Sequence, residues 1–470
     1  MGQLALGASP VGELSRNFRR AVHKANSDMA EQKKASARVA QKVGPAPAVS
    51  PPNGLTEITL PLAEFLDWRN FKWSLPFVCF AIYVVDMTTY IVKNGAPFMA
   101  LALLGLLVGT RRVRWPTAVG IFLLFWLWSA ICTVLTPYSG DFEELIDLGK
   151  IFLVFLVAVN VLWDRLTFRF FLVVYLACYA AFPIRGTLTS YYIHNNVHLG
   201  RPYWANLFSN PNDIAALTIL AFALAVSFVH KETPRVLRFA SLALCMIFPF
   251  TILLTQSRGG FIGMCAFLLL ALLSIGRIRM TGIVVVAAIG AAVIAIVPPD
   301  AWDRISGLQR AESITEADGS AAERWEIAQT AMKIIEDNPI IGVGRGYALR
   351  AMATYNPSLG PKSYHNTYLE VAAETGAPGL LLFLALLLTL IRRARRVRRE
   401  TMHLNRSADW RRLQLIEFGL YGYLITGIWG TYAYLSLMYV YLAFLYAQTE
   451  ALLSLTTAHE NRPAHKQPSI

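Results

Sequence analysis

The chain has 470 residues, 55% of them hydrophobic and only 16% charged, with a formal net charge of +13. A soluble chain carries about a quarter charged residues, so this composition excludes an ordinary soluble enzyme and points to helices packed in lipid. The positive charge is gathered in short stretches between apolar runs, the arrangement that orients membrane helices. Nucleic acid, the partner that so basic a soluble chain would suggest, is therefore not expected.

Residues 1–70 differ in kind from the rest of the chain. Met1–Lys42 is rich in Ala, Lys, Arg and Ser, and Gly44–Gly54 is a Pro/Ala linker. No apolar core of a signal peptide lies near the start. The segment is expected to be a basic, largely disordered cytoplasmic tail, with its cations either solvated or touching anionic lipid. Residues 71–455 form the expected transmembrane domain, and 456–470 a short cytoplasmic tail.

Apolar stretches recur at 75–92, 97–110, 116–136, 148–163, 167–183, 212–230, 237–255, 259–275, 280–297, 366–391, 413–430 and 431–452. Crossing a bilayer takes roughly 20 apolar residues, so the fold class is an all-α polytopic membrane protein of about twelve transmembrane helices. The last two stretches are separated by Gly430 alone, which predicts a tight hairpin. All five cysteines (Cys79, Cys132, Cys178, Cys245, Cys265) lie inside apolar stretches without CxxC spacing. They predict small core residues, not a disulfide framework or a zinc site.

Alternate connections hold the basic residues: Arg111, Arg112 and Arg114, then Arg165 and Arg169, then Lys231, Arg235 and Arg238, then Arg277 and Arg279, then the run Arg392–Arg399. The positive-inside rule places this set, and both termini, in the cytoplasm. Residues 184–211, the turn Thr255–Gly260 and the long loop 298–365 then face outward.

These outward segments carry the unusual residues. The first holds Arg185, Tyr191, Tyr192, His194, Arg201, Tyr203 and Trp204, either a sugar-binding surface or an interfacial aromatic belt. It ends in Asn210-Pro211-Asn212-Asp213, a helix start. Arg258 sits in a turn too short to wander, followed by Gly259 and Gly260. An arginine at membrane depth is costly, glycines let backbone N–H groups approach an anion, and a helix start adds its positive end. Phosphate or pyrophosphate fits that set; an arginine reaching to the interface is the plainer alternative. In the long loop, Ala322–Ile335 has helical spacing and Asn338-Pro339 ends it. Gly342-Val343-Gly344-Arg345-Gly346-Tyr347 is not a dinucleotide fingerprint; it is a tight turn, with or without an anion. His365 stands just before the next apolar stretch, with Tyr364, Asn366 and Glu370 near it. A histidine there is either a polar contact or a base working near neutrality. No HExxH or outward DxD occurs, so neither a metal nor another cofactor is expected.

Thr255–Gly260, then Arg324-Trp325 leading to Asn338–Gly344, then His365–Leu369 with Glu374–Gly379, resemble the O-antigen ligase and polymerase superfamily, best over about residues 237–391. The resemblance implies a GT-C-like membrane glycosyltransferase of the inner membrane, with a long helical periplasmic loop, working on the periplasmic face without metal. It implies a glycan donor on undecaprenyl pyrophosphate and, as acceptor, lipid A–core for a ligase or another glycan for a polymerase. Carried over, His365 is the catalytic base near the acceptor and Arg258 holds the pyrophosphate. Arg201 is taken as the second arginine, with Arg185 as its rival. Arg324 and Arg345 add to the phosphate site, with Asn366, Tyr347 and Asn212 in support. A lipid-linked glycan transporter or flippase is the non-enzyme alternative. Transporters place their polar sites near the bilayer midplane, whereas these residues gather on one face.

Overall fold

The structure, a computed structural model, describes residues 62–67, 71–274 and 319–460, less positions 72, 92, 93, 111, 139–141, 196 and 199. Residues 1–61 of the expected N-terminal tail, the span 280–297 and the start of the long loop, 298–318, lie outside the described residues, as does most of the C-terminal tail.

The described chain is almost wholly helical: α1 Leu62–Leu66, α2 Leu75–Thr89, α3 Ala96–Val108, α4 Thr117–Leu135, α5 Glu143–Val161, α6 Arg165–Tyr179, α7 Arg185–Tyr192, α8 Pro211–Ser227, α9 Arg235–Leu254, α10 Arg258–Leu273, α11 Gly319–Asp337, α12 Ala348–Tyr355, α13 Thr367–Glu400, α14 Ala408–Thr426 and α15 Ser436–Glu460. One two-residue hairpin, β1 Val197–His198 and β2 Arg201–Pro202, interrupts them. By length and composition, α4, the continuous α6–α7, α9 and α13 can each cross a membrane; α2, α3, α8 and α10 are apolar and shorter. The protein is thus an all-α chain with membrane-type helices.

Short polar residues start these helices where the sequence places them. Ser74, Asp164, Asn210, Ser257, Asn366 and Ser407 each accept a backbone N–H of the following first turn. The centre of the bundle is α8, α10 and α14, packed on one another. Small residues permit it: Gly263 of α10 lies against Thr426 and Gly422 of α14 and Ile219 of α8. Close backbone approach of this kind drives helix association where the surroundings are as apolar as the side chains.

Three expectations change. Residues 184–192, read as loop, are helical: a wide turn over Ala180–Ile184, containing Pro183, carries α6 on into α7. The tight hairpin at Gly430 is instead a loop over 427–435, because Tyr432 turns inward, 2% exposed, and its N–H is bonded to Thr367. The stretch 366–391 is one long helix broken at Gly376, where φ is 64° and ψ −175°.

The break in α13 organises its surroundings. It frees the carbonyls of Ala373, Glu374 and Thr375, and buried carbonyls need partners. Val343 N–H donates to Ala373 at 2.8 Å, Gly344 N–H to Glu374 at 2.9 Å, and the Trp128 indole to Thr375 at 2.8 Å. Beyond the break, Ala377 N–H donates to Pro339 at 2.8 Å. A Cβ at Gly376 would collide with the Ile340 carbonyl oxygen, and one at Gly342 would lie 2.5 Å from the Glu374 carbonyl carbon. The loop 338–347 and the helix break are therefore one packed unit.

One end of the bundle is rich in arginine, and several of these arginines are matched to a buried or half-buried acid. Asp409, 1% exposed, accepts from Arg165 Nε at 2.8 Å, Arg169 Nη2 at 2.7 Å and Arg412 Nη1 at 2.8 Å. Arg412 also lies over the Phe228 ring at 4.8 Å and Arg169 over Phe65 at 4.9 Å. Glu417 takes Arg395 and Arg398, and Glu450 takes Arg114 and Arg393.

Breaking a buried pair leaves an uncompensated charge and costs on the order of 3–5 kcal/mol. Asp409→Ala is accordingly expected to lower the thermal unfolding midpoint of the detergent-purified protein sharply, whereas Lys150→Gln, in an exposed pair, leaves it nearly unchanged. Gly376→Ala, which combines a glycine-only backbone region with a collision, is expected to cut the monodisperse fraction in size-exclusion chromatography; wild-type behaviour would show that the break is not needed.

Candidate functional site

The opposite end of the bundle gathers the unusual polar residues. There α9 stops, Thr255-Gln256-Ser257 turns the chain, and α10 begins at Arg258. Ser257 Oγ accepts Gly260 N–H at 3.2 Å, fixing the start of α10. The β1–β2 hairpin closes onto this turn. Arg201 Nε donates to the Thr255 carbonyl at 2.8 Å, Arg201 Nη2 to Asn212 Oδ1 at 2.7 Å, and Gln256 Nε2 to the Gly200 carbonyl at 3.1 Å. Gln256 holds a left-handed backbone, φ 54°, a conformation uncommon for such a residue and worth attention next to a site. The starts of α8 and α10, Arg201, Asn212 and the turn leading into Arg258 thus form one corner, with two positive helix ends beside two arginines.

His365 occupies the second turn. Its φ is 47°, and the flanking residues hold it there. Tyr364 is 2% exposed. Asn366 Oδ1 accepts from Tyr368 and Leu369 N–H at 2.9 and 3.0 Å, and Asn366 Nδ2 donates to the Ile428 carbonyl at 3.2 Å. Beside the imidazole lie Arg324 at the start of α11 and the surface pair Glu323–Lys362, 2.8 Å. Burial, and then the Arg324 charge, hold the His365 pKa below its ordinary value of 6.5, with Glu323 opposing. The imidazole is consequently neutral at neutral pH.

One loop joins the two turns. Thr367 N–H donates to the Gly427 carbonyl at 2.8 Å, Thr367 Oγ1 donates to the Gly430 carbonyl at 2.7 Å and accepts Tyr432 N–H at 2.9 Å. On its other side a Cβ at Gly259 would lie 3.0 Å from Trp429 Cβ, so Trp429 is pressed against the residue after Arg258. Tyr432 Oη reaches the Asn212 carbonyl at 3.4 Å, and the charges of both Arg324 and Arg201 act on that hydroxyl. The structure therefore gathers Arg201, Asn212, Arg258, Arg324, His365 and Asn366 around the loop 427–432. Sequence reasoning missed Gln256, Thr367, Trp429 and Tyr432. The run Trp429-Gly430-Thr431-Tyr432 between two apolar stretches was the available signal for the last two.

Arg345 does different work. It is 6% exposed; Nη1 donates to both Glu374 oxygens at 2.9 and 3.0 Å, Nη2 to Glu144 at 2.7 Å, and the guanidinium lies 3.5 Å over the Tyr434 ring. Those bonds tie α5 to the break in α13. Tyr347, 3% exposed, packs in the small core that α11, α12 and the loop build over the bundle end. Arg185 is exposed on α7. Near Glu374, Tyr364 Oη and Glu370 Oε2 are buried without a hydrogen-bond partner among the described residues. Among the described residues, no three His, Cys, Asp or Glu side chains are grouped to hold a metal.

The corner can bind an anion through arginines and helix starts, and it keeps a neutral imidazole nearby. Residues 241–384 of the chain match the family model described as O-antigen ligase. No curated protein matches the chain. The matched residues run from within α9 to within α13, and so contain the Arg258 turn, His365, the loop 338–347 and the helix break. That match, over 144 of the 470 residues, supports membership in the O-antigen ligase and polymerase superfamily.

Proposed function

We propose that the protein is a glycosyltransferase that moves a glycan from undecaprenyl pyrophosphate to an acceptor hydroxyl. The observation that carries this reading is the loop 427–432, which fastens the Arg258 turn to the His365 turn at one end of the bundle. The family match supplies the lipid-linked donor and the acceptor as substrate classes.

In this reading Arg258 and Arg201, at the starts of α10 and α8, hold the donor pyrophosphate. His365 takes the proton of the acceptor hydroxyl as that oxygen attacks the anomeric carbon. The bond from the anomeric carbon to the phosphate oxygen breaks, and its electron pair leaves with the pyrophosphate, whose growing charge the arginines offset. Attack from the face opposite the leaving group inverts the anomeric centre. Pyrophosphate is already a good leaving group, so nothing in this scheme calls for a metal. Arg324 adds to burial in holding the His365 pKa below its ordinary value; Arg345, satisfied by two carboxylates, serves by holding the α13 break.

The proposal places the arginine-rich end, with both termini, in the cytoplasm by the positive-inside rule, and the Arg258–His365 end in the periplasm. It takes the bundle as about twelve spans in the inner membrane, GT-C-like in plan. Lipid A–core as acceptor makes the protein a ligase; a growing polysaccharide makes it a polymerase. Deleting the gene separates them: surface glycan lost from lipid A–core marks a ligase, while single attached repeats or a lost secreted polymer mark a polymerase.

Arg258→Ala is expected to reduce glycan transfer by about 100-fold or more, and His365→Ala by about 100- to 10,000-fold, with normal membrane insertion of both. Transfer at the wild-type rate by either variant, measured with a lipid-linked donor in reconstituted vesicles, would overturn the assignment. The acid limb of the rate profile tests the base. Since His365 is shifted below 6.5, transfer should persist on acidification until the pH passes below that value. Removing the neighbouring charge raises the imidazole pKa, so Arg324→Gln should move the limb to higher pH; an unmoved limb would mean that His365 is not the group titrating.

A further inference from the structure

A cavity of about 710 Å³ opens at the arginine-rich end, far along the bundle from the corner above. It lies between the starts of α2 and α6, the ends of α3 and α5, and the α3–α4 connection. Its size falls in the range of ligand sites, roughly 300–1,000 Å³. Trp73 and Trp163 line it, with Arg112 and Arg114.

The wall is fixed before any ligand arrives. Asn160 Oδ1 accepts Arg114 N–H at 2.6 Å, and Asn160 Nδ2 donates to the Arg114 carbonyl at 3.1 Å. The Arg114 guanidinium lies 5.3 Å over the Trp163 ring and bonds Glu450 at 3.1 Å. Asp164, the acid on the lining, is occupied as the cap of α6: its Oδ2 accepts Leu166 N–H at 3.1 Å and Thr167 N–H at 3.2 Å. Arg112 is exposed and has no ion-pair partner among the described residues. The lining thus carries two cations, Arg112 and Arg114, against the one acid that caps α6. The rest of the lining is largely apolar, with Pro76, Leu106, Val113 and Leu166 beside the tryptophans.

We propose that this cavity binds the headgroup of an anionic phospholipid. Its phosphate faces Arg112 and Arg114, the tryptophans sit at headgroup level, and the acyl chains lie along α3. Basic pockets between membrane helices bind such headgroups, and indole rings settle at this depth. The apolar lining beside the cations, Pro76, Leu106, Val113 and Leu166, selects a lipid over a free phosphate. The inference rests on the bundle being membrane-embedded and not on the glycosyltransferase reading.

The test is native mass spectrometry of the full-length protein in detergent, with thermal unfolding in parallel, after adding phosphatidylglycerol, phosphatidylcholine of the same chains, or inorganic phosphate. Phosphatidylglycerol is expected to be retained and to raise the unfolding midpoint, and the other two are not. Arg112→Gln should lower phosphatidylglycerol retention about fivefold, the effect of one surface cation. Val113→Trp, which fills the cavity without changing charge, should lower it too. Arg396→Gln, exposed at the same end and outside the cavity, should not. Equal retention of the two lipids, wild-type retention by Arg112→Gln, or an equal loss in Arg396→Gln overturns the site; an equal effect of inorganic phosphate overturns the lipid as its ligand.

Discussion

The interruption of α13 at Gly376 is the constraint on which the site depends. A helix broken inside a bundle exposes carbonyls to apolar surroundings, where an unmet polar group is expensive. Here the Val343 and Gly344 amides and the Trp128 indole meet them. The same bonds dock the loop 338–347, and Arg345 then locks the docked unit to α5 through Glu144. The first turns of α13, which begin two residues after His365, are therefore anchored at both ends: at the break by the loop, and at Thr367 by the 427–432 loop. A site held by packed elements keeps its geometry better than one on a free loop.

Charge divides along the bundle in two different ways. At one end many arginines are each answered by Asp409, Glu417 or Glu450, so the cations act as structure. At the other end Arg201 is bonded to a backbone carbonyl and a side-chain amide, neutral groups that orient a guanidinium. An arginine fastened to carboxylates, such as Arg169, has its charge answered inside the protein and acts as structure. Arg345 shows the rule from the other side: it lies in the matched region, yet two carboxylates make it a fastening.

Much of this was legible in the sequence, and the reasons for the rest are physical. The helix starts at Asn210-Pro211, at the Arg258 turn and near 366 are local features, and each begins a helix as read, with Ser257 and Asn366 as caps that only the structure shows. The helical spacing of Ala322–Ile335 likewise falls within α11. The break at Gly376 was hidden because the apolar run continues through it, and hydropathy does not register one residue's backbone angles. The loop 427–435 was hidden for a related reason: Tyr432 and Ala433 are buried and read as membrane residues, although they cover the site from inside. The partners of Arg345 could not be read at all, since Glu144 stands in a distant part of the chain and only the fold brings it near.

The backbone at position 365 has one more consequence. A positive φ is uncommon for residues other than glycine, and among those that do adopt it asparagine, aspartate and histidine are enriched. Of these three, only histidine changes its charge near neutral pH in an unperturbed setting. The turn thus screens the amino-acid alphabet on shape alone, and a proton acceptor working near neutrality screens what remains. The imidazole is the side chain that passes both.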